Sequence, residues 1–215
     1  VRTARRLLQE RAAQGKLGGN DVVNGLQSIL ENNPDVTRKL RALWTLHVIG
    51  ELDDKFVAGL LNSDEEYVRA WAVQLLLEDG KVSLPILQKL ASVAITESSA
   101  VVRLYLASAL QRLPLESRWE LAAGLMEHGE DAGDHNLPLM IWYGIEPLVN
   151  ADNEAALKLA TYTKISLLRR HIARRTLDVD SPPTGRVVQA ALRSTDGKVR
   201  LDFLAGMFDA LNDTG

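Results

Sequence analysis

Val68-Arg69-Ala70-Trp71-Ala72-Val73 and Val102-Arg103-Leu104-Tyr105-Leu106-Ala107 are two copies of one short pattern. In each copy an apolar residue is followed by arginine and then by apolar and small residues, and a polar turn comes before it. The spacing of the apolar residues is that of one helical face. Further copies are found at Val1–Ala4, Leu40–Trp44, Leu168–Ala173 and Val199–Leu204. We interpret each copy as part of a helix in a repeated structural unit.

The arginines of the pattern recur at similar intervals along the chain. They are Arg2, Arg41, Arg69, Arg103, Arg169 and Arg200. Successive arginines are separated by 39, 28, 34, 66 and 31 residues. The interval of 66 corresponds to two repeats, and we assign the missing copy to residues 137–142, where Pro138 takes the place of the arginine. Intervals of this size are typical of two-helix units stacked in series.

Each predicted unit has a first helix and a second helix that carries the arginine pattern, and only the copy at Val1–Ala4 has no first helix before it. The first helices are expected at Asp21–Leu30, Asp53–Leu61, Ser83–Ala94, Glu116–Glu127, Asp152–Ala160 and Gly185–Leu192, with turn residues between them, as at Ser181-Pro182-Pro183. Neither helix of a pair can bury its apolar stripe alone, so neighbouring pairs must share a core. The sequence therefore predicts an all-α fold of about six and a half repeats, forming one domain over residues 1–215.

Composition restricts the possible functions. The 215 residues are 46% hydrophobic and 25% charged, with a net charge of −3 that argues against general nucleic-acid binding. The chain has no cysteine, which excludes disulfides, thiolate catalysis, Cys-ligated zinc and covalently attached c-type haem within it. The longest apolar run is the nine residues Leu137–Ile145, far short of the ~20 that cross a bilayer. We therefore expect no membrane insertion.

The copies quoted above resemble HEAT repeats, with those at Val68-Arg69 and Val102-Arg103 the most similar. The resemblance implies a right-handed α–α superhelix, a HEAT- or armadillo-like solenoid of about six to seven two-helix repeats. It implies little about function, because such solenoids mostly hold and connect other proteins.

A narrower resemblance covers nearly the whole chain. The segments Arg41–His47, Tyr67–Ala72, Leu106–Pro114 and Asn136–Pro147 are similar to the helical middle region of bacterial PVC-type haem-binding proteins, also described as membrane-bound dehydrogenase-like. In that exported family, a β-propeller resembling sugar or sorbosone dehydrogenases precedes the HEAT repeats and a cytochrome c domain follows them. The chain lacks the propeller and the Cys-x-x-Cys-His motif of the cytochrome. The resemblance thus implies a non-catalytic scaffold, with haem c and any dehydrogenase activity elsewhere in a periplasmic or exported parent protein.

The chain does not begin with Met and starts within a predicted helix, so we expect it to be a piece of a longer protein. Its partners would then be other proteins or neighbouring domains of the same polypeptide. The alternatives are a stand-alone peptide-binding HEAT adaptor and a HEAT-like DNA glycosylase with a basic groove.

Two groups of arginines could take part in binding. The pattern arginines Arg41, Arg69 and Arg103 could grip acidic peptides or phosphates, but recurrence at the structural period favours hydrogen bonds to carboxylates or carbonyls at repeat junctions. The second group surrounds His171 and consists of Arg169, Arg170, Arg174 and Arg175. This cluster could bind an anionic partner or a nucleic acid. The favoured interpretation is a solvated face with acidic neighbours, among them Glu146, Asp178 and Asp180.

Carboxylates suggest two further candidate sites. Glu146 could be a buried acid, although we favour a role as hydrogen-bond acceptor for a pattern arginine such as Arg103 or Arg169. Residues 127–136 bring His128 and His135 near several acids, but neither a helical His pair nor a calcium loop is present. We expect a flexible, solvated loop capped by Asn136. No catalytic, cofactor-binding or metal-binding residue is assigned in this chain.

Overall fold

The computed structural model describes residues 2–17, 20–179 and 182–212, and these ranges contain helices and no strand. Val1, Asp180 and Ser181, which belong to sequence predictions above, lie outside the described residues. The α-helices are α1 (Arg2–Ala13), α2 (Asn20–Asn32), α3 (Val36–Val48), α4 (Asp54–Leu60), α5 (Glu66–Leu76), α6 (Leu84–Thr96), α7 (Ala100–Leu110), α8 (Trp119–Leu125), α9 (Leu137–Ala151), α10 (Asn153–Tyr162), α11 (Ser166–Leu177), α12 (Thr184–Arg193) and α13 (Gly197–Asn212). The all-α prediction is confirmed.

The predicted first helices correspond to α2, α4, α6, α8, α10 and α12. The largest difference is at α8, which is shorter than predicted because the 3-10 turn Leu115–Ser117 precedes it. The arginine pattern lies in the odd-numbered helices, so first and second helices alternate along the chain. The chain divides into two compact units, residues 1–76 and 77–215. The prediction of one domain over residues 1–215 stays a prediction.

The first unit contains α1 to α5. Helix α3 contacts α1, α2 and α5, and α4 contacts α5. Its core is built from fully buried side chains of α2, α3 and α5, namely Leu30, Ala42, Leu43, Leu46 and Val68. Trp44 and Trp71 meet at the side of this core in an edge-to-face arrangement, with ring centroids 5.0 Å apart. The two pattern tryptophans therefore contribute to packing.

The second unit contains α6 to α13. The second helices contact one another in chain order, α7 with α9, α9 with α11 and α11 with α13. Among the first helices, α6 packs on α8 and α10 packs on α12. Leu106, Leu110, Ile141 and Ile172 are buried between these helices. Within this unit, each second helix thus packs against the next second helix along the chain.

Two glycines allow the closest helix contacts of the second unit. A Cβ at Gly206 of α13 would lie 2.4 Å from the carbonyl oxygen of Arg170 on α11, and one at Gly144 of α9 would lie 2.5 Å from the Cβ of Leu110 on α7. Side chains at these positions would force the helices apart. The close packing of α7 on α9 and of α11 on α13 therefore requires glycine at these two positions.

Candidate functional site

Four turns of the structure share one hydrogen-bonding arrangement, which we call the arginine turn. In each, the helix that follows the turn begins three residues before the arginine, as α7 begins at Ala100 before Arg103. The residue six positions before the arginine accepts two hydrogen bonds, one on its side chain from a backbone N–H and one on its carbonyl from the guanidinium. In this copy the Glu97 carboxylate accepts from the N–H of Ser99 at 2.8 Å, and the Glu97 carbonyl accepts from Arg103 at 2.8 Å. The arginine thus closes the polar turn between two helices.

The other copies repeat both contacts. The acceptor residues and their arginines are Ser63 with Arg69, Thr163 with Arg169 and Ser194 with Arg200. The pattern arginines at these junctions therefore bond carbonyls, in agreement with the favoured interpretation of Arg69 and Arg103. This role uses donor groups that a phosphate or acidic peptide would need.

Two assignments of the repeat were wrong by two residues. Asn33 accepts the N–H of Asp35 before α3, which begins at Val36, and so the position equivalent to the arginine is Lys39 rather than Arg41. Arg41 itself is exposed. Leu40 precedes Arg41 as Val68 precedes Arg69, whereas Arg38 precedes Lys39, so the pattern of an apolar residue followed by arginine selected the later position.

The same shift applies to α9. Asp134 accepts the N–H of Asn136 at 2.8 Å, and the helix begins at Leu137, which puts Met140 rather than Pro138 in the equivalent position. The backbone N–H groups of Leu137 and Asn136 lower the pKa of Asp134. Asn136 occupies the N-cap position as expected, but its side chain makes no capping hydrogen bond, and Asp134 supplies the side-chain acceptor at this helix start.

Arg103 makes the most deeply buried ion pair among the described residues. Its Nε donates to Oδ2 of Asp131 at 2.7 Å and its Nη2 donates to Oδ1, so that the pair is bidentate. The two side chains are 3% and 4% exposed. The hydrogen bond that Arg103 donates to Asp131 raises the pKa of Arg103. The guanidinium is thus charged, and each of its three nitrogens donates to an acceptor within the chain.

Residues 127–136 are mostly exposed, as predicted for a solvated loop, but this pair anchors the segment at Asp131. Asp131 lies in the 3-10 helix Gly129–Gly133 and is buried. His128 is held at both ring nitrogens, by Glu130 at 2.8 Å and by the carbonyl of Ala94 at 2.7 Å. The loop is anchored because its acids pair with Arg103 and His128.

Most of the basic cluster on α11 is paired with carboxylates of neighbouring segments. Arg169 is buried and donates to the carbonyl of Ala160 and to Asp202 of α13. Arg170 forms a bidentate pair with Asp209 of α13, which raises the pKa of Arg170 and lowers that of Asp209. These pairs connect the two helices that Gly206 brings together, and they leave less positive charge for an anionic ligand.

Glu146 pairs with Arg175, not with Arg103 or Arg169 as expected. Its Oε1 lies 2.7 Å from Nε of Arg175, and Asp178 lies 2.8 Å from the same guanidinium. The expected arginines are occupied by their own turns and by the carboxylates described above. Glu146 therefore links α9 to α11.

His171 lies between the exposed arginines Arg170 and Arg174 on α11. Its ring packs against Trp142 of α9, with centroids 5.1 Å apart and ring planes tilted by 37°. Burial lowers the pKa of His171, and the charges of Arg174 and Arg170 lower it further. The neutral imidazole is the form that fits between the tryptophan and the two cations.

An elongated cavity of about 390 Å³ opens between α8 and α10. One wall is formed by α8 with Trp119 and Ala123, and the other by α10 with Leu159 and Tyr162. Buried Met126 lies at the base, while Glu120, Glu127 and Lys158 are exposed at the rim. We call this cavity the α8–α10 groove. Its lining is mainly apolar and its charges are at the edge, which is the composition of a protein-binding surface.

Helix α13 carries a second exposed apolar surface. Leu201, Leu204, Phe208 and Leu211 are 54–74% exposed and recur at the spacing of one helical face. Such a stripe is typical of a helix that packs against another helix.

The sequence analysis missed Asp131, Arg118 and the groove. Arg118 donates to the carbonyls of Leu113 at 2.9 Å and Gly144 at 2.8 Å, tying the end of α7 to α9, and burial lowers its pKa. No local spacing could identify these groups, because their partners lie up to 28 residues away.

Within the described ranges, no group of three or more His, Cys, Asp or Glu could hold a metal ion. None of the described helices has the length and apolar character of a membrane span. Comparisons of the chain with protein-family models, with curated proteins and with solved structures find no match.

Proposed function

We propose that this chain is a HEAT-type helical solenoid that binds other proteins or neighbouring domains and has no catalytic activity of its own. Its two-helix repeats, about six to seven of them, would form a right-handed superhelix. The observation that carries the proposal is the serial contact of α7, α9, α11 and α13, with the arginine turn recurring at the junctions.

The chemistry of the described surfaces supports binding rather than catalysis. Arg103, Arg169, Arg170 and Arg175 are engaged by carboxylates within the chain, so they stabilise the fold. The large apolar surfaces, the α8–α10 groove and the stripe on α13, have the composition of contact surfaces. A scaffold needs such surfaces together with a rigid connection between them.

Small-angle X-ray scattering of the chain tests the solenoid. A compact protein of this length has a radius of gyration of about 17 Å. Repeats stacked in series extend the molecule, and we expect a clearly larger value. A value near that of a compact protein would contradict the solenoid.

Selection from a peptide-display library against the immobilised chain tests the binding function. We expect enrichment of a shared peptide pattern, and weaker binding of the selected peptides to Tyr162→Ala, which removes a 71% exposed side chain of the groove. Tyr143→Ala is the matched control, because Tyr143 is 59% exposed and lies on α9 outside the groove. No enrichment over an unrelated protein would contradict an interaction module.

The more specific role, a connector between a dehydrogenase-like propeller and a cytochrome c domain, stays a prediction of the sequence resemblance. Reading the gene on both sides of the region that encodes residues 1–215 tests it. Propeller sequence upstream and a Cys-x-x-Cys-His motif downstream are the expected result. Other flanking domains would leave the adaptor as the function.

A further inference from the structure

We infer that the α8–α10 groove binds an amphipathic helix of a partner protein, whose basic side faces α8. This inference rests on the proposed function and names the class of partner for one surface. It is carried by the length of the groove, the character of its lining and the distribution of charge along its rim.

The groove runs along both of its helices. The lining residues of α10 extend from Ala155 to Tyr162, and those along α8 from Trp119 to Glu127, just beyond its end. Seven residues of a helix span roughly 10 Å, or two turns. The groove therefore accepts a segment about two helical turns long, and its volume of about 390 Å³ leaves room for several apolar side chains.

The lining favours a helix over an extended peptide or a small molecule. An extended peptide needs backbone hydrogen bonds from its receptor, and the groove is built from helices whose backbone groups are satisfied internally. A small-molecule site places polar groups that can bind the ligand inside the pocket, whereas the buried Thr163 hydroxyl bonds the Met126 carbonyl and the charged residues Glu120, Glu127 and Lys158 are exposed at the rim. A helix brings its own hydrogen bonds and offers an apolar stripe.

The rim charges determine the orientation of that helix. Glu120 and Glu127 both lie on the α8 side and are seven residues apart, while Lys158 lies on the α10 side. Two basic residues separated by two turns would meet the two carboxylates, and an acidic residue would face the lysine. The complementary partner is therefore basic along one flank of its apolar stripe and acidic along the other.

Two designed helical peptides of about 16 residues test the inference by fluorescence anisotropy. Both carry leucines on one face; one has two lysines seven residues apart on one flank and a glutamate on the other, and the second has all three charges reversed. We expect the first peptide to bind the chain roughly fivefold to tenfold more tightly at low salt, with a smaller ratio at high salt.

Charge reversal in the groove gives the decisive comparison. In the double variant Glu120→Lys plus Glu127→Lys, the preference should invert, whereas Glu116→Lys, an exposed acid outside the groove lining, should leave it unchanged. Circular dichroism checks that the variants remain folded. Equal affinities for the two peptides, or a preference that survives the double variant, would overturn the inference.

The failures of the two proposals can be distinguished. If neither designed peptide binds but display selects other peptides, the inference is wrong and the interaction module stands. If nothing binds in either experiment, both are wrong.

Discussion

Arg103 and Arg200 hold the same position in two arginine turns, and their surroundings differ. Each donates to the carbonyl six residues earlier at 2.8 Å. Arg103 is buried and also pairs with Asp131, whereas Arg200 is exposed. The hydrogen bond in the turn follows from the motif, but its contribution to stability follows from burial, because water competes for an exposed guanidinium and not for a buried one.

The largest effect is expected for Asp131→Asn. The substitution keeps the shape of the side chain and removes the charge that balances buried Arg103. We expect the free energy of unfolding to fall by about 3–5 kcal/mol, the usual cost of breaking a buried pair. Urea denaturation followed by circular dichroism measures it.

Asp178→Asn is the control for this comparison. Asp178 also pairs with an arginine, Arg175, but its side chain is 69% exposed. Its loss should cost less than about 1 kcal/mol. Similar losses for the two variants would break the link between burial and stability.

Asp202→Asn tests an intermediate case. The Asp202 side chain is 17% exposed and pairs with Arg169, which is itself buried and also held by the carbonyl of Ala160. We expect a loss of about 1–3 kcal/mol in the free energy of unfolding, measured in the same way. A loss larger than that of Asp131→Asn would show that something other than burial decides the ranking.

A smaller loss is expected for Arg200→Ala. In this exposed turn, the Ser194 carbonyl loses its hydrogen bond from Arg200 and accepts one from water instead. The free energy of unfolding should fall by less than about 1 kcal/mol. If this variant destabilised the chain as much as Asp131→Asn, the turn bond itself would carry the stability of the repeat.

The smallest effect is expected from pH, through His171. Its pKa in the folded chain lies below the ordinary 6.5, so between the two values the unfolded chain binds more protons. The stability contributed by the neutral ring is complete above about pH 6.5 and declines as the pH falls below it. Thermal midpoints from about pH 8 to 5 measure this.

His171→Gln should flatten the pH dependence relative to the unsubstituted chain. His135→Gln is the control, since His135 is exposed. A wild-type midpoint that rises on acidification would give the opposite sign and refute the assignment.

The sequence allowed the helices to be predicted because the apolar period is strong in each of them. It located the turns at Arg69 and Arg103 but misplaced those at Lys39 and Met140, since a residue pattern inside a helix does not report where the helix begins. The bond of Arg103 to Asp131 spans 28 residues, and only tertiary packing brings the two together.

The α8–α10 groove could not be predicted either. It depends on how far apart two first helices lie, and no residue pattern reports that distance. The sequence offered the arginines of α11 as a possible binding surface but favoured a face with acidic neighbours, and the structure shows ion pairs within the chain for Arg169, Arg170 and Arg175.

The arginine turn also bears on how the chain folds. Each turn closes over only six residues, so its hydrogen bonds can form early, before distant parts of the polypeptide meet. The pair of Arg103 and Asp131 closes 28 residues instead of six, so its loop-closure cost is larger and we expect it to form later.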